Sequence, residues 1–131
     1  MSGVYAKDRK ESPMEVITIA REIYLITYRL CMNERIIPKR HRYMVAKPII
    51  EIASNIVDDI NKANSIFPRN EVDKEIRYRY QKEGFANCDA LLGKLELTSQ
   101  LFPMSYKVVS KIASLVIREK QMIQAWSKAG C

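Results

Sequence analysis

The sequence predicts an all-α protein folded as an antiparallel up-down-up-down four-helix bundle. Four segments repeat apolar residues at steps of three and four, and none alternates apolar and polar residues as a strand does. Short connections join the segments, and short connections make neighbouring helices antiparallel. The 131 residues suit a single domain. We expect a flexible tail over residues 1–12, the bundle over residues 13–128 and a C-terminal tail over residues 129–131.

The first helix is predicted to begin at Ser12. Ser12 can cap the helix, Pro13 suits its first position, and Glu15 completes a capping box. Three further apolar residues, Ile19, Leu25 and Ile26, fall outside the main stripe and predict an oligomer, because exposed apolar side chains favour a partner. The apolar stripe comprises Val16, Ile17, Ala20, Ile23, Tyr24, Thr27, Tyr28, Leu30 and Cys31.

The second helix follows a corner rich in positive charge and contains a proline near its start. Because Pro48 removes a backbone donor, either the helix begins near Lys47, or it begins at Pro38 and kinks. We favour the second alternative. Asp58 and Asp59 are placed on the solvent side. The predicted buried seam comprises Ile49, Ile52, Ala53, Ile56, Ile60, Ala63 and Phe67.

The third helix is predicted to start after Asn70, which is a suitable cap. Gly84 and Gly93 each cost helix stability, and we expect them where neighbouring helices approach closely. Its stripe comprises Val72, Ile76, Tyr80, Cys88, Leu91, Leu95, Thr98 and Phe102. The stripe of the fourth helix comprises Val109, Ile112, Val116, Ile123 and Trp126.

Residues suited to catalysis are sparse. His41 is the only histidine and has no carboxylate close in sequence to orient it. The chain has no CxxC, no Glu-x-x-His and no glycine-rich phosphate loop, and its three cysteines are widely spaced. We therefore expect neither an enzyme nor a metal or cofactor site. Because the cysteines suit neither a disulfide framework nor a zinc site, the sequence predicts a protein of the reducing cytoplasm, and we expect neither a signal peptide nor a membrane span.

Positive charge is the main functional signal. Lys and Arg exceed Asp and Glu by 22 − 15 = 7, which favours a polyanionic partner. We expect the basic corner to share an end of the bundle with the connection between helices three and four. The basic group on the third helix should lie apart from the corner. The candidate nucleic-acid-binding residues are Lys39, Arg40, His41, Arg42 and Lys47 at the corner, Lys74, Arg77, Arg79 and Lys82 on the third helix, and Lys107, Lys111 and Arg118 on the fourth.

Each basic group has two interpretations. Any one group can be explained as solvated helix surface whose cations pair with nearby glutamates. The excess of positive charge over all three groups together favours salt-sensitive, sequence-independent contact with phosphates. Tyr78 and Tyr80, which alternate with arginines, could stack on unpaired bases or pack against the bundle.

Several stretches resemble one family of four-helix-bundle proteins. They are the corner "IIPKRHRYMV", the following "IASNIVDDINKAN", and the tail from "LLGKLELTSQLFPMS" to "AWSKA", and the likeness runs from about Val16 to Lys128. Pro48 departs from the pattern. The residues that match the family motifs are Pro38, Lys39, Arg40, Arg42 and Tyr43 at the corner, with Trp126 and Lys128 near the end.

The family includes the accessory variability determinant proteins of diversity-generating retroelements and relatives encoded by intervening sequences in ribosomal RNA genes. The first branch is the more similar, since the second usually has an "NIAEG"-like run where this chain reads "NIVDDINKAN". The resemblance implies a homopentamer that binds RNA or DNA and a reverse transcriptase, and supports mutagenic copying without an active site. Two alternatives remain: a self-assembling, non-specific RNA-binding bundle, or a protein-interaction adaptor that binds no nucleic acid.

Overall fold

The computed structural model describes the backbone of residues 2–129 and the side chains of residues 14–129. Over that range every regular element is helical. Each helix packs against the next, and the first also packs against the last. This arrangement confirms the antiparallel up-down-up-down four-helix bundle. The helices are α1 (Ser2–Met32), α2 (Lys47–Ser65), α3 (Glu71–Leu101) and α4 (Tyr106–Ala129).

Helix α1 extends further towards the N-terminus than the sequence predicts. Its backbone is helical from Ser2, so Ser12 and Pro13 lie within the helix and do not mark its start. Residues 6–11 are mostly good helix formers, which explains why the helix continues upstream of the proline. The side chains of the predicted tail, including that of Ser12, lie outside the described residues, as do residues 1, 130 and 131.

The connection from α1 to α2 is itself helical but irregular. A 3-10 turn covers Lys39–His41 and a π-helical turn covers Arg42–Ala46. The Lys47 N–H donates to the Arg42 carbonyl, five residues back. Because Pro48 has no N–H, the wide turn gives way to a regular α-helix where that donor is missing. The second α-helix therefore begins at Lys47, as the first alternative has it, and the favoured alternative of a kinked helix from Pro38 is wrong, although the residues from Lys39 to Ala46 form helical turns of other types.

The core contains apolar side chains from all four helices. Asn70 caps α3 as predicted, since its side chain accepts a hydrogen bond from the Asp73 N–H. The fully buried large side chains include Ile23 of α1, Ile49, Ile56 and Ile60 of α2, Leu91 and Leu95 of α3, and Ile112, Val116 and Ile123 of α4.

Four predictions about apolar residues are wrong. Tyr28, placed on the buried face of the first helix, is 44% exposed. Phe67 and Val72 are 71% and 66% exposed, because they lie beside the connection between α2 and α3, where the bundle ends. Ile19, expected to need another subunit, is buried within its own chain. Leu25 remains 48% exposed and Ile26 is only partly buried, so they still offer apolar surface.

The two glycines of α3 differ. A Cβ on Gly84 would lie 3.3 Å from the Cδ1 of Ile60, which confirms that α2 and α3 approach closely there. A Cβ on Gly93 would meet nothing within 4 Å among the described residues. The prediction of close approach is therefore wrong for Gly93, which lies on the exposed side of the helix.

Polar side chains also occupy the core, which the sequence did not predict. Asp59, expected in solvent, is 6% exposed and accepts a hydrogen bond of 2.7 Å from the Asn87 side chain. Gln81 and Glu119 are buried as well. Glu119 lies midway between Val116 and Ile123 on the same face of α4, so its position and not its residue type decides its burial.

Candidate nucleic-acid interface

The basic corner, residues 39–47, lies at the end of the bundle where α3 is joined to α4. The ring of His41 contacts the ring of Phe102, with centroids 5.1 Å apart. The Nε of Arg40 donates to the Nε2 of His41 at 3.1 Å. These contacts confirm that the corner shares an end with the connection between the third and fourth helices. They also hold His41 partly buried, in a supporting position behind the exposed cations.

The cations of the basic corner are only partly neutralised. Arg42 pairs with Glu34 at 3.3 Å, and Lys47 pairs with Glu51 at 4.0 Å. Exposed pairs of this kind contribute about 0–1 kcal/mol each, so a phosphate can compete with the carboxylate. Lys39 and Arg40 are exposed. Among the described side chains, neither forms an ion pair.

The second basic group lies at the other end of the bundle, on the first turns of α3. Lys74 pairs with Glu71 at 3.5 Å and Arg79 pairs with Glu75 at 3.2 Å. Two of its cations are therefore paired with nearby glutamates on the same helix, as the interpretation of solvated helix surface expects. The predicted separation of the first two groups is confirmed by their positions at opposite ends.

Aromatic contacts hold the other two cations of the second group. The Arg77 guanidinium lies over the Trp126 ring at 5.1 Å, and Lys82 lies over Tyr78 at 5.7 Å. Tyr80 packs partly buried against the core, whereas Tyr78 is 47% exposed. Of the two tyrosines, only Tyr78 retains an open face for another molecule.

The third group is divided along α4. Lys107 and Lys111 lie on the first turns of α4, at the same end of the bundle as the basic corner, and both are exposed. Neither forms an ion pair with another described side chain. Arg118 lies further along and pairs with Glu15, which links α4 to α1. One end of the bundle therefore brings together four of the predicted cations that are exposed and form no ion pair with another described side chain: Lys39, Arg40, Lys107 and Lys111.

The described residues offer little for covalent or metal chemistry. No group of three or more His, Cys, Asp or Glu residues within them is arranged to hold a metal ion. Burial raises the pKa of the Cys31 thiol to about 12 and raises that of Cys88 further. Both thiols are therefore protonated at neutral pH, and a protonated thiol is a poor nucleophile. In the same part of the chain, no helix is both long and apolar enough to cross a membrane.

The basic corner also borders an open groove that the sequence did not predict. Met32 from the end of α1, Tyr43 from the π-helical turn and Ile50 from α2 line it together with corner cations. The groove has a volume of about 610 Å³. Tyr43 was noted in the sequence as part of the corner motif, but Met32 and Ile50 join it only through tertiary packing.

The fold and the surface define a basic four-helix bundle with cations at both ends, of which Lys39, Arg40, Lys107 and Lys111 at the corner end form no ion pair with another described side chain. Comparison with protein-family models, with curated proteins and with solved structures finds no match to the chain. The function is therefore argued from the residues of the chain and from their arrangement.

Proposed function

We propose that the chain is a non-catalytic accessory protein that binds nucleic acid through the end of the bundle that carries the basic corner. The observation that carries this proposal is the group of four exposed cations there without ion-pair partners among the described side chains: Lys39, Arg40, Lys107 and Lys111. Phosphates that replace the counterions around such cations bind with a free energy that depends strongly on salt.

The resemblance gives this proposal a biological setting. In a diversity-generating retroelement, the protein binds the template RNA or its cDNA together with the reverse transcriptase, and the polymerase performs the chemistry. Phosphate contacts position a strand without reading its sequence, which suits a protein that assists a copying enzyme on templates of varying sequence. A reverse-transcriptase gene and a pair of near-identical repeats beside the coding sequence are the genomic context that this assignment requires.

Assembly into a homo-oligomer, a pentamer in the resembling family, is part of the proposal. Leu25 on α1 and Leu97 on α3 are 48% and 57% exposed, which leaves apolar surface on two of the helices. In an oligomer the basic ends of several chains act together, which multiplies the number of phosphates bound. Size-exclusion chromatography with light scattering should give more than one chain per particle, and a monomer at micromolar concentration contradicts this element of the proposal.

Charge reversal at the basic corner tests nucleic-acid binding. We expect Lys39→Glu with Arg40→Glu to weaken binding to a structured RNA, measured by fluorescence anisotropy over a range of salt concentrations. The slope of log affinity against log salt should fall by about 2, because each phosphate contact contributes about 1.

The matched control carries the same change in charge elsewhere. Arg69 and Lys128 are exposed and lie at the opposite end of the bundle from the basic corner. Arg69→Glu with Lys128→Glu should therefore leave the salt slope nearly unchanged. Equal effects from the two double variants would assign the binding to overall net charge, and a flat salt dependence of the unsubstituted protein would leave only the adaptor alternative.

A further inference from the structure

We propose that the groove beside the basic corner binds an unpaired nucleotide, whose base stacks on Tyr43 while its phosphates contact the surrounding cations. This inference rests on the proposed function and adds that the bound strand is single. It identifies one aromatic side chain whose contribution depends on bases and not on phosphates.

The groove combines apolar surface with access from solvent. The end of α1, the π-helical turn and the first turns of α2 meet there, and they contribute Met32, Tyr43 and Ile50. Its volume of about 610 Å³ falls within the range of roughly 300–1,000 Å³ that is common for sites binding small organic groups. A planar base has the dimensions and the apolar faces for such a surface.

The charges around the groove select an anionic occupant. Four of its lining residues are cations: Lys39, Arg40, Arg42 and Lys47. Among the described residues that line it, Glu51 carries a carboxylate, whose oxygen lies 4.0 Å from the Lys47 ammonium, and Arg42 pairs with Glu34 outside the lining. The groove therefore keeps a net positive charge, and Lys39 and Arg40, which have no carboxylate partners among the described side chains, are available to the phosphates of a bound strand.

The conformation of the π-helical turn exposes the aromatic ring. Tyr43 is 71% exposed and the adjacent Met44 is 75% exposed, whereas Ala46 in the same turn is fully buried. The Lys47 ammonium lies 4.9 Å from the centroid of the Tyr43 ring. Exposed aromatic rings interspersed with cations form the stacking surfaces of proteins that bind single strands.

The stacking requirement distinguishes single strands from duplexes. Bases within a duplex are stacked on one another, and extracting one costs a few kcal/mol. A single strand offers its bases without that cost. The groove should therefore contribute to binding of a single strand and contribute little to binding of a duplex of the same length.

Three fluorescent probes of equal length test the inference: an oligothymidine strand, an abasic strand with the same phosphates, and a blunt duplex. We expect Tyr43→Leu to lower affinity for the oligothymidine strand about 5- to 10-fold, with little effect on the abasic strand or the duplex. Tyr43→Phe keeps the ring and should retain the affinity. Phe67→Leu is the control, since Phe67 is also 71% exposed but lies at the opposite end of the bundle.

The outcomes separate this inference from the function on which it rests. If Tyr43→Leu lowers the affinity for the oligothymidine and abasic strands equally, or lowers neither, the groove is not a site for a base. The proposed function still stands in that case if Lys39→Glu with Arg40→Glu weakens binding. Failure of the unsubstituted protein to bind any of the three probes in dilute buffer overturns both. If Tyr43→Leu weakens binding of a polyglutamate peptide and not of the oligothymidine strand, the occupant is an acidic protein segment and the inference is wrong. Circular dichroism confirms that each variant is folded.

Discussion

Replacement of the buried Glu119 should change how the stability of the bundle depends on pH. Glu119 is fully buried, and neither of its carboxylate oxygens has a hydrogen-bond partner among the described protein groups. Burial raises the pKa of its carboxyl group to about 8, because removal from water penalises the charged form, and Arg118 only partly offsets this effect. The side chain is therefore mainly protonated in the folded protein at neutral pH.

The sign and size of the effect follow from the two pKa values. The carboxyl group has an ordinary pKa of 4.5 and a folded value of about 8, so the folded state binds more protons between these limits. Its contribution to stability is fully present below the ordinary pKa and is lost as pH rises through the folded pKa. At one proton per molecule the slope is about 1.4 kcal/mol per pH unit, which gives a loss of about 3 kcal/mol between pH 4.5 and pH 7.

Neighbouring titratable groups change the slope without reversing it. Burial also raises the pKa of Asp59, and the hydrogen bond from Asn87 partly opposes that shift. The contribution of Asp59 to the stability of the folded protein therefore also falls as pH rises, in the same direction as that of Glu119. Cys88 on α3 interacts electrostatically with Glu119, and burial keeps its thiol neutral through this range. The part of the slope that belongs to Glu119 is therefore best isolated by substitution at that residue.

Glu119→Gln keeps the shape of the side chain and removes its titration. We expect the glutamine variant to lose most of the slope between about pH 5 and about pH 8, and to be more stable than the unsubstituted protein at the upper limit by about 4 kcal/mol. The free energy of unfolding is measured by urea titration with circular dichroism at several pH values. Glu96→Gln is the matched control, because Glu96 is exposed on α3. A stability that is flat across this range, or a slope that survives Glu119→Gln, would refute the reasoning.

The two glycines of α3 provide a matched pair of further predictions. Gly93→Ala should raise the free energy of unfolding by up to about 1 kcal/mol, because alanine favours the helix and its Cβ meets nothing within 4 Å among the described residues. Gly84→Ala should give no such gain, since its Cβ would lie 3.3 Å from the Cδ1 of the fully buried Ile60, which has to move. Chemical denaturation measures both, and an equal gain at the two positions would contradict the close approach of α2 and α3.

The sequence was sufficient for the fold because helical periodicity and helix caps are local. The step of three or four residues identified the faces of all four helices, and Asn70 marked the start of α3 correctly. The start of α1 was not predicted, because Ser12 and Pro13 form a strong start signal that the helix-forming residues before them override. Local signals of this kind compete, and the sequence alone does not give their relative weights.

The buried carboxylates could not be identified from residue type. Asp59 and Glu119 were assigned to solvent or left out of the apolar stripes because charged residues are rarely buried. Val116 and Ile123 are seven positions apart, which is about two turns of helix. The apolar stripe therefore lacked one position on the buried face between them, and Glu119 occupies that position. A position on the apolar face of a helix that holds a polar residue can therefore indicate a buried polar side chain.

The site was predicted in part. Clustering in the sequence identified the cations of the basic corner, and the bundle topology predicted correctly which end it occupies. The groove was not predicted, because Met32 and Ile50 belong to different helices and approach the corner only after the bundle folds. The sequence also did not predict which cations form ion pairs, because pairing depends on side-chain geometry. Arg79 pairs with Glu75, whereas Lys39 forms no ion pair with another described side chain.

The π-helical turn before α2 has a consequence for how the surface of this protein can change. A π turn is equivalent to one residue inserted into an α-helix, and each residue of an α-helix accounts for about 100° of rotation. The turn at Arg42–Ala46 therefore sets the angular phase of the upstream segment relative to the buried seam of α2. Deleting one residue within it would swing Tyr43 and its neighbouring cations around the helix axis while α2 stayed in register. The orientation of the corner is thus set by the length of a single turn, and a change in that length would also disturb the burial of Ala46 and the contact of His41 with Phe102.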